Sequence, residues 1–280
     1  MSVPPPVPLS VPPGTPPVSR EGSPLLGFGL DVLLAACILL GLSLFCGLAW
    51  GLWRGFEVGL ALARDGGGAP DATQLGSQLG QPGALAQMLI ALVSTGATAL
   101  VLYFWRRRAS VAERASSLAA VRRSSTWGWT LLVAIGVFAG SSLIGWAGKQ
   151  VGIDPVPTNL PLMEQALAHY PVFLVAFAVF LAPAYEELLF RRVLFGRLWA
   201  AGRPWLGMVL SGAAFAFIHE IPGTSDNGLP EILQLWLVYG GMGVAFAWLY
   251  RRTGTLWAAI AAHTLNNAVA LAALVLFGIQ

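Results

Sequence analysis

Charge is what this 280-residue chain has least of: Asp, Glu, Lys and Arg make up 10% of it, and lysine occurs once, at Lys149. A soluble domain carries about 25% charged residues, so the composition excludes an ordinary water-facing globular surface. Two cysteines, Cys37 and Cys46, are too few for a disulfide framework. Nine residues apart on one helix they stand roughly 13 Å from each other, beyond the roughly 7 Å between Cα atoms that a disulfide tolerates, so packing is their expected role. No repeat of solenoid length is visible. The net charge of +3 comes from arginines gathered at the ends of apolar runs. Topology and anionic lipid account for such a pattern, and no nucleic-acid partner is expected.

Apolar residues fill the space that charge leaves, at 56% of the chain with a mean hydropathy of +0.70. Runs of about 20 apolar residues are needed to cross a bilayer, and seven candidates lie near 30–53, 84–105, 126–148, 171–197, 204–221, 232–250 and 254–277. The run at 204–221 is short, the one at 171–197 carries charges, and a further half-buried helix fits between 155 and 170. The expected fold is therefore all-α, a polytopic transmembrane bundle of seven or eight membrane helices. Residues 1–24, rich in Pro and Ser, form an expected disordered tail. Residues 25–153 form a first set of membrane helices, and 154–280 a second, chemistry-bearing core. The first apolar run lacks a basic flank and a small-residue cleavage site, so it is expected to stay as an anchor.

Arg106, Arg107, Arg108, Arg114, Arg122 and Arg123 crowd the segment 106–125, with Arg197 and Arg203 in a second loop and Arg251 and Arg252 in a third. The positive-inside rule places these on the cytoplasmic side, which with seven spans sets the N-terminus inside. Within 109–125, Val111, Ala115, Leu118 and Val121 share one helical stripe; a surface helix and a solvated loop both fit. Gly136 and Gly140 form a G-x-x-x-G, and Gly240, Gly241 and Gly243 line another span, a pattern that allows close helix approach.

Ionisable residues inside the apolar runs are the functional signal, because each costs a few kcal/mol at the centre of a membrane helix. Glu187 and Arg191 are at i and i+4 and can neutralise one another, while Glu186 points about 100° away. A charged helix end reaching for the interface is the plain alternative. Counting from the nearest arginine-flanked ends at about 1.5 Å per residue sets Glu186, His219 and His263 roughly 16, 22 and 14 Å deep. Asn267, four residues after His263, shares its face. No broken helix or inverted repeat of the transporter kind is visible.

The motifs Glu-Glu-x-x-x-Arg at 186–191, Phe-x-x-x-His at 215–219 and His-x-x-x-Asn at 263–267 resemble those of the CPBP family, the CAAX-prenyl-endopeptidase and bacteriocin-processing intramembrane proteases also called Abi. The resemblance covers about residues 171–270. It implies an intramembrane endopeptidase acting on membrane-embedded or membrane-associated, including lipidated, peptide substrates in a bacterial inner membrane. Glu186 and His219 would activate a water, His263 and Asn267 would stabilise the oxyanion, Glu187 and Arg191 would orient and neutralise, and Phe215 would support the site. Metal dependence stays open: Glu186, His219 and His263 suit a His₂Glu zinc site, and the same residues suit a metal-free, glutamate-activated water. Other protease classes fit less well, since His219-Glu220 is followed at position 223 by Gly where H-E-x-x-H needs His. No Gly-x-Gly-Asp is present, and Ser211-Gly212 lacks a rhomboid setting. A non-catalytic scaffold or a proton-coupled transporter using the same buried cluster is the alternative.

Overall fold

The structure, a computed structural model, describes residues 22–64 and 72–278. Most of the Pro-rich tail therefore lies outside the described residues. Among the described residues the chain is all-α, with ten helices: α1 Pro24–Arg64, α2 Ala72–Leu79, α3 Ala84–Arg106, α4 Val111–Val121, α5 Ser124–Gln150, α6 Leu160–His169, α7 Pro171–Ala200, α8 Pro204–His219, α9 Leu229–Thr253 and α10 Leu256–Phe277. Six of them (α1, α3, α5, α7, α9 and α10) are long and apolar enough to cross a membrane, and the chain is an integral membrane protein. The seventh expected span, α8, has 16 residues, which at 1.5 Å per residue cover about 24 Å of a roughly 30 Å hydrocarbon layer.

Helix α1 begins at Pro24 and runs for 41 residues, well beyond the 30–53 expected. Pro is suited to the first helical turn. Near the other end an exposed Arg54–Glu57 pair at 2.9 Å lets the helix continue through polar residues. The basic segment resolves in favour of a helix: Ser110 accepts from the Glu113 backbone N–H while the Glu113 carboxylate accepts from the Ser110 N–H. That reciprocal cap nucleates α4. Val111 and Leu118 of its apolar stripe are exposed.

The arginine-rich loops meet at one end of the bundle. Arg106 and Arg197 both bind the buried Asp31 of α1, the former at 2.8 Å. Arg107 donates to the Gly196 carbonyl at 2.6 Å, and Arg192 of α7 makes a two-pronged contact with Glu113 of α4, 2.9 Å at each prong. At the opposite end the Asn227 amide exchanges hydrogen bonds with the backbone of Val156, at 3.0 and 2.8 Å.

Close helix approach occurs between α8 and α9, where a Cβ on Gly243 would stand 2.7 Å from the Gly212 Cα and one on Gly212 would stand 2.9 Å from the Gly240 carbonyl. The Gly136/Gly140 pair is different: a Cβ at either meets nothing within 4 Å among the described residues. The G-x-x-x-G pattern therefore does not mark a helix contact within the described chain. Cys37 and Cys46 are free.

Candidate active site

Three helices bring the polar residues together. Helix α7 supplies Glu186, Glu187 and Arg191, α8 supplies Phe215 and His219, and α10 supplies His263 and Asn267. Glu187 and Arg191 are fully buried, with Arg191 Nε 2.8 Å from Glu187 Oε2. The contact is an ion pair without hydrogen-bond alignment, and the other two guanidinium nitrogens have no hydrogen-bond partner among the described residues. Aromatic faces surround that cation instead: its centre lies 4.8 Å from the Phe215 ring, 5.7 Å from Phe246 and 5.9 Å from Phe190. Ring quadrupoles stabilise a desolvated cation, which gives Phe215 a physical role beside Arg191.

The second oxygen of Glu187 meets His263 Nδ1 at 3.0 Å. A carboxylate only accepts, so this bond fixes a hydrogen on Nδ1 and turns Nε2 towards Glu186, 3.8 Å from its Oε2. The same logic orients the other imidazole. His219 Nδ1 lies 2.8 Å from the Phe215 carbonyl, so Nδ1 donates and Nε2 faces Glu186 Oε2 at 3.9 Å. The Phe215 and His219 rings lie 4.2 Å apart, tilted by 38°, and the Tyr239 ring lies 4.8 Å from the same imidazole, tilted by 32°. Unlike the sealed Glu187–Arg191 pair, Glu186 and His219 keep 16% and 21% of their side chains accessible.

Glu220, next to His219, is a residue that the sequence reading gave no part. Its buried carboxylate accepts from the Thr158 hydroxyl at 2.6 Å, the Ser225 hydroxyl at 2.5 Å and the Asn227 amide at 3.0 Å, while Trp236 Nε1 donates to its carbonyl at 2.8 Å. These neutral donors satisfy a carboxylate that burial would otherwise leave without partners. The cluster anchors the end of α8 that carries His219. Only its residue types, scattered over two loops and a helix, stand in the sequence.

Asn267 shares a face with His263 as expected, yet its amide donates to the Ala178 carbonyl of α7 at 2.9 Å. The donor set of a zinc site is present in type. Both Nε2 atoms face a carboxylate, and both Nδ1 atoms are tied, as metal ligands commonly are. The arrangement does not close into one: among the described residues no three His, Cys, Asp or Glu groups converge as a ligand set. Tetrahedral ligands about 2.0–2.1 Å from one ion would stand nearer to each other than the 3.8 and 3.9 Å found here.

Residues 168–269, which contain Glu186, Glu187, Arg191, Phe215, His219, His263 and Asn267, match the family described as "Type II CAAX prenyl endopeptidase Rce1-like". This stretch of the chain is similar to the Rce1-like (CPBP) family. Among curated proteins it is 28% identical over 116 residues to "Putative membrane peptidase YdiL" of Bacillus subtilis (strain 168), a match covering 41% of this chain and 43% of that relative. The matched stretch is thus less than half the length of the relative. No solved structure matches the chain. The Rce1-like segment spans α7 to α10 and ends inside α10, so the family region coincides with the helices that build the site.

Proposed function

We propose that this chain is an intramembrane endopeptidase in which Glu186, facing both imidazole Nε2 atoms across 3.8–3.9 Å, activates a water for peptide hydrolysis. That spacing carries the reading. It is too long for direct hydrogen bonds and suits a water placed between the groups. Neutral His219 offers a bare Nε2 and Glu186 a carboxylate, so a water between them can donate to both. Glu186 then takes one water proton as the oxygen attacks the scissile carbonyl, and returns it to the leaving nitrogen as the C–N bond breaks, giving a carboxylic acid and an amine. His263 stabilises the oxyanion by donating through Nε2, which requires a doubly protonated ring. With that ring charged, two carboxylates balance one guanidinium and one imidazolium. Glu187 holds the ring in place and Arg191 holds Glu187.

Seven spans support the topology best, with α8 completing the count and the N-terminus and arginine-rich end in the cytoplasm. The substrate is a membrane-embedded or membrane-associated peptide, including lipidated ones, and the host membrane is a bacterial inner membrane. The decisive assay follows cleavage of a quenched peptide library by detergent-purified protein, with and without a chelator. Glu186→Gln is expected to lower turnover by about 10²–10⁴-fold while membrane insertion stays intact, and the chelator is expected to change nothing. Wild-type turnover in Glu186→Gln would overturn the assignment.

A further inference from the structure

Pro183 sits in α7 three residues before Glu186. It has no N–H, so the Val179 carbonyl lacks the donor that an α-helical residue 183 would supply. Just before it, residues Ala176–Leu181 adopt the wider π-helical pattern, and the Ala182 N–H reaches back five residues to the Phe177 carbonyl. Ala178 therefore loses its α-helical donor to that shift, and in the π-helical register its donor would again be Pro183. Within a membrane helix no bulk water takes such carbonyls, so a neighbouring element must.

Helix α10 supplies both replacements. Thr264 Oγ1 donates to the Val179 carbonyl at 2.8 Å and Asn267 Nδ2 to the Ala178 carbonyl at 2.9 Å. Thr264 follows His263 directly, and Asn267 lies one turn on. One short stretch of α10 thus grips the backbone below Glu186 while placing the imidazole that faces its carboxylate, 3.8 Å away.

We propose that Asn267, together with Thr264, is a positioning residue: a side-chain strap that replaces the backbone donors missing at Pro183 and sets Glu186 against His263. This rests on the catalytic reading of Glu186 given above. It places one N–H of the Asn267 amide on the α7 backbone. A displacement of about 1 Å at a reacting group costs on the order of a hundredfold in rate. Asn267→Ala is therefore expected to lower kcat by about that factor at unchanged KM, with Thr264→Val shifting kcat in the same direction.

The deciding experiment combines Asn267→Ala with Pro183→Ala, which restores a backbone N–H to α7. The strap predicts that the double variant regains at least tenfold in kcat over Asn267→Ala alone. An amide acting directly on the oxyanion predicts no recovery, and a double variant as slow as Asn267→Ala would overturn the proposal. Should Pro183→Ala fail to fold, amide hydrogen exchange across 182–187 decides: it is expected to rise in both Asn267→Ala and Thr264→Val, and wild-type protection in both would overturn the strap. Glu186→Gln run in parallel separates the two claims. If that variant cleaves normally the catalytic reading fails, while the exchange measurement still tests the strap.

Discussion

The Glu187–Arg191 pair offers the most quantitative test of the site. Glu187→Gln keeps the shape and an acceptor for His263 Nδ1, but it leaves the Arg191 guanidinium charged in a fully buried setting. Arginine does not shed its proton in proteins, and the three aromatic faces around it are already engaged, so nothing new compensates. Breaking a buried pair in this way costs about 3–5 kcal/mol. Arg191→Met isolates Glu187 with a comparable cost. The double variant removes both charges, and buried pairs replaced by neutral groups of similar volume are often near-neutral in stability. It should therefore cost several kcal/mol less than the roughly 6–10 kcal/mol sum of the singles. Unfolding in mixed micelles, followed by the fluorescence of the 11 tryptophans, measures all four proteins. A double variant whose cost equals the sum within about 0.5 kcal/mol would refute the coupling. So would singles that cost less than about 1 kcal/mol.

Two further outcomes are expected. Gly243→Ala forces a Cβ to within 2.7 Å of the Gly212 Cα, where backbone must move. It should lower stability by about 1–3 kcal/mol, whereas Gly136→Ala, with nothing within 4 Å, should be neutral in the same unfolding assay. Burial works to raise the Glu113 pKa, but Arg192 and the Ser110 donors outweigh it and hold the carboxyl below its ordinary value. A depressed folded pKa stabilises above the unfolded value and loses that contribution as pH falls through the folded one. The Tm gap between wild type and Glu113→Gln should thus be full at neutral pH and close in acid below the ordinary carboxylate range. A gap independent of pH would show that the Glu113 charge plays no part.

Long apolar runs were legible because lipid imposes a single requirement on many residues at once, and helices α3, α5, α7, α9 and α10 fall within a few residues of the runs read from hydropathy. The i, i+4 pairing of Glu187 with Arg191 was legible for the same local reason. Features set by distant partners were not. Asp31 looks like an interruption of an apolar run until Arg106 and Arg197 are seen around it. Glu220 looks like a failed H-E-x-x-H until Thr158, Ser225 and Asn227 converge on it. A π-helical turn has no residue signature of its own, so the widening before Pro183 and the use that Asn267 makes of it could not be counted from spacing. Gly136 and Gly140 show the converse: a local pattern can suggest a contact that only a facing helix would supply.

Asp31 also imposes an order in time. Its two arginine partners lie 75 and 166 residues further along the chain. At about 5–20 residues per second, the second leaves the ribosome on the order of 10–30 s after the aspartate. Through that interval the carboxylate of α1 must wait at the membrane surface with Arg106 as its one emerging partner. The seating of α1 is then completed only when α7, the helix that carries Glu186, has arrived, so a chain halted before Arg197 would hold a loosely docked first helix.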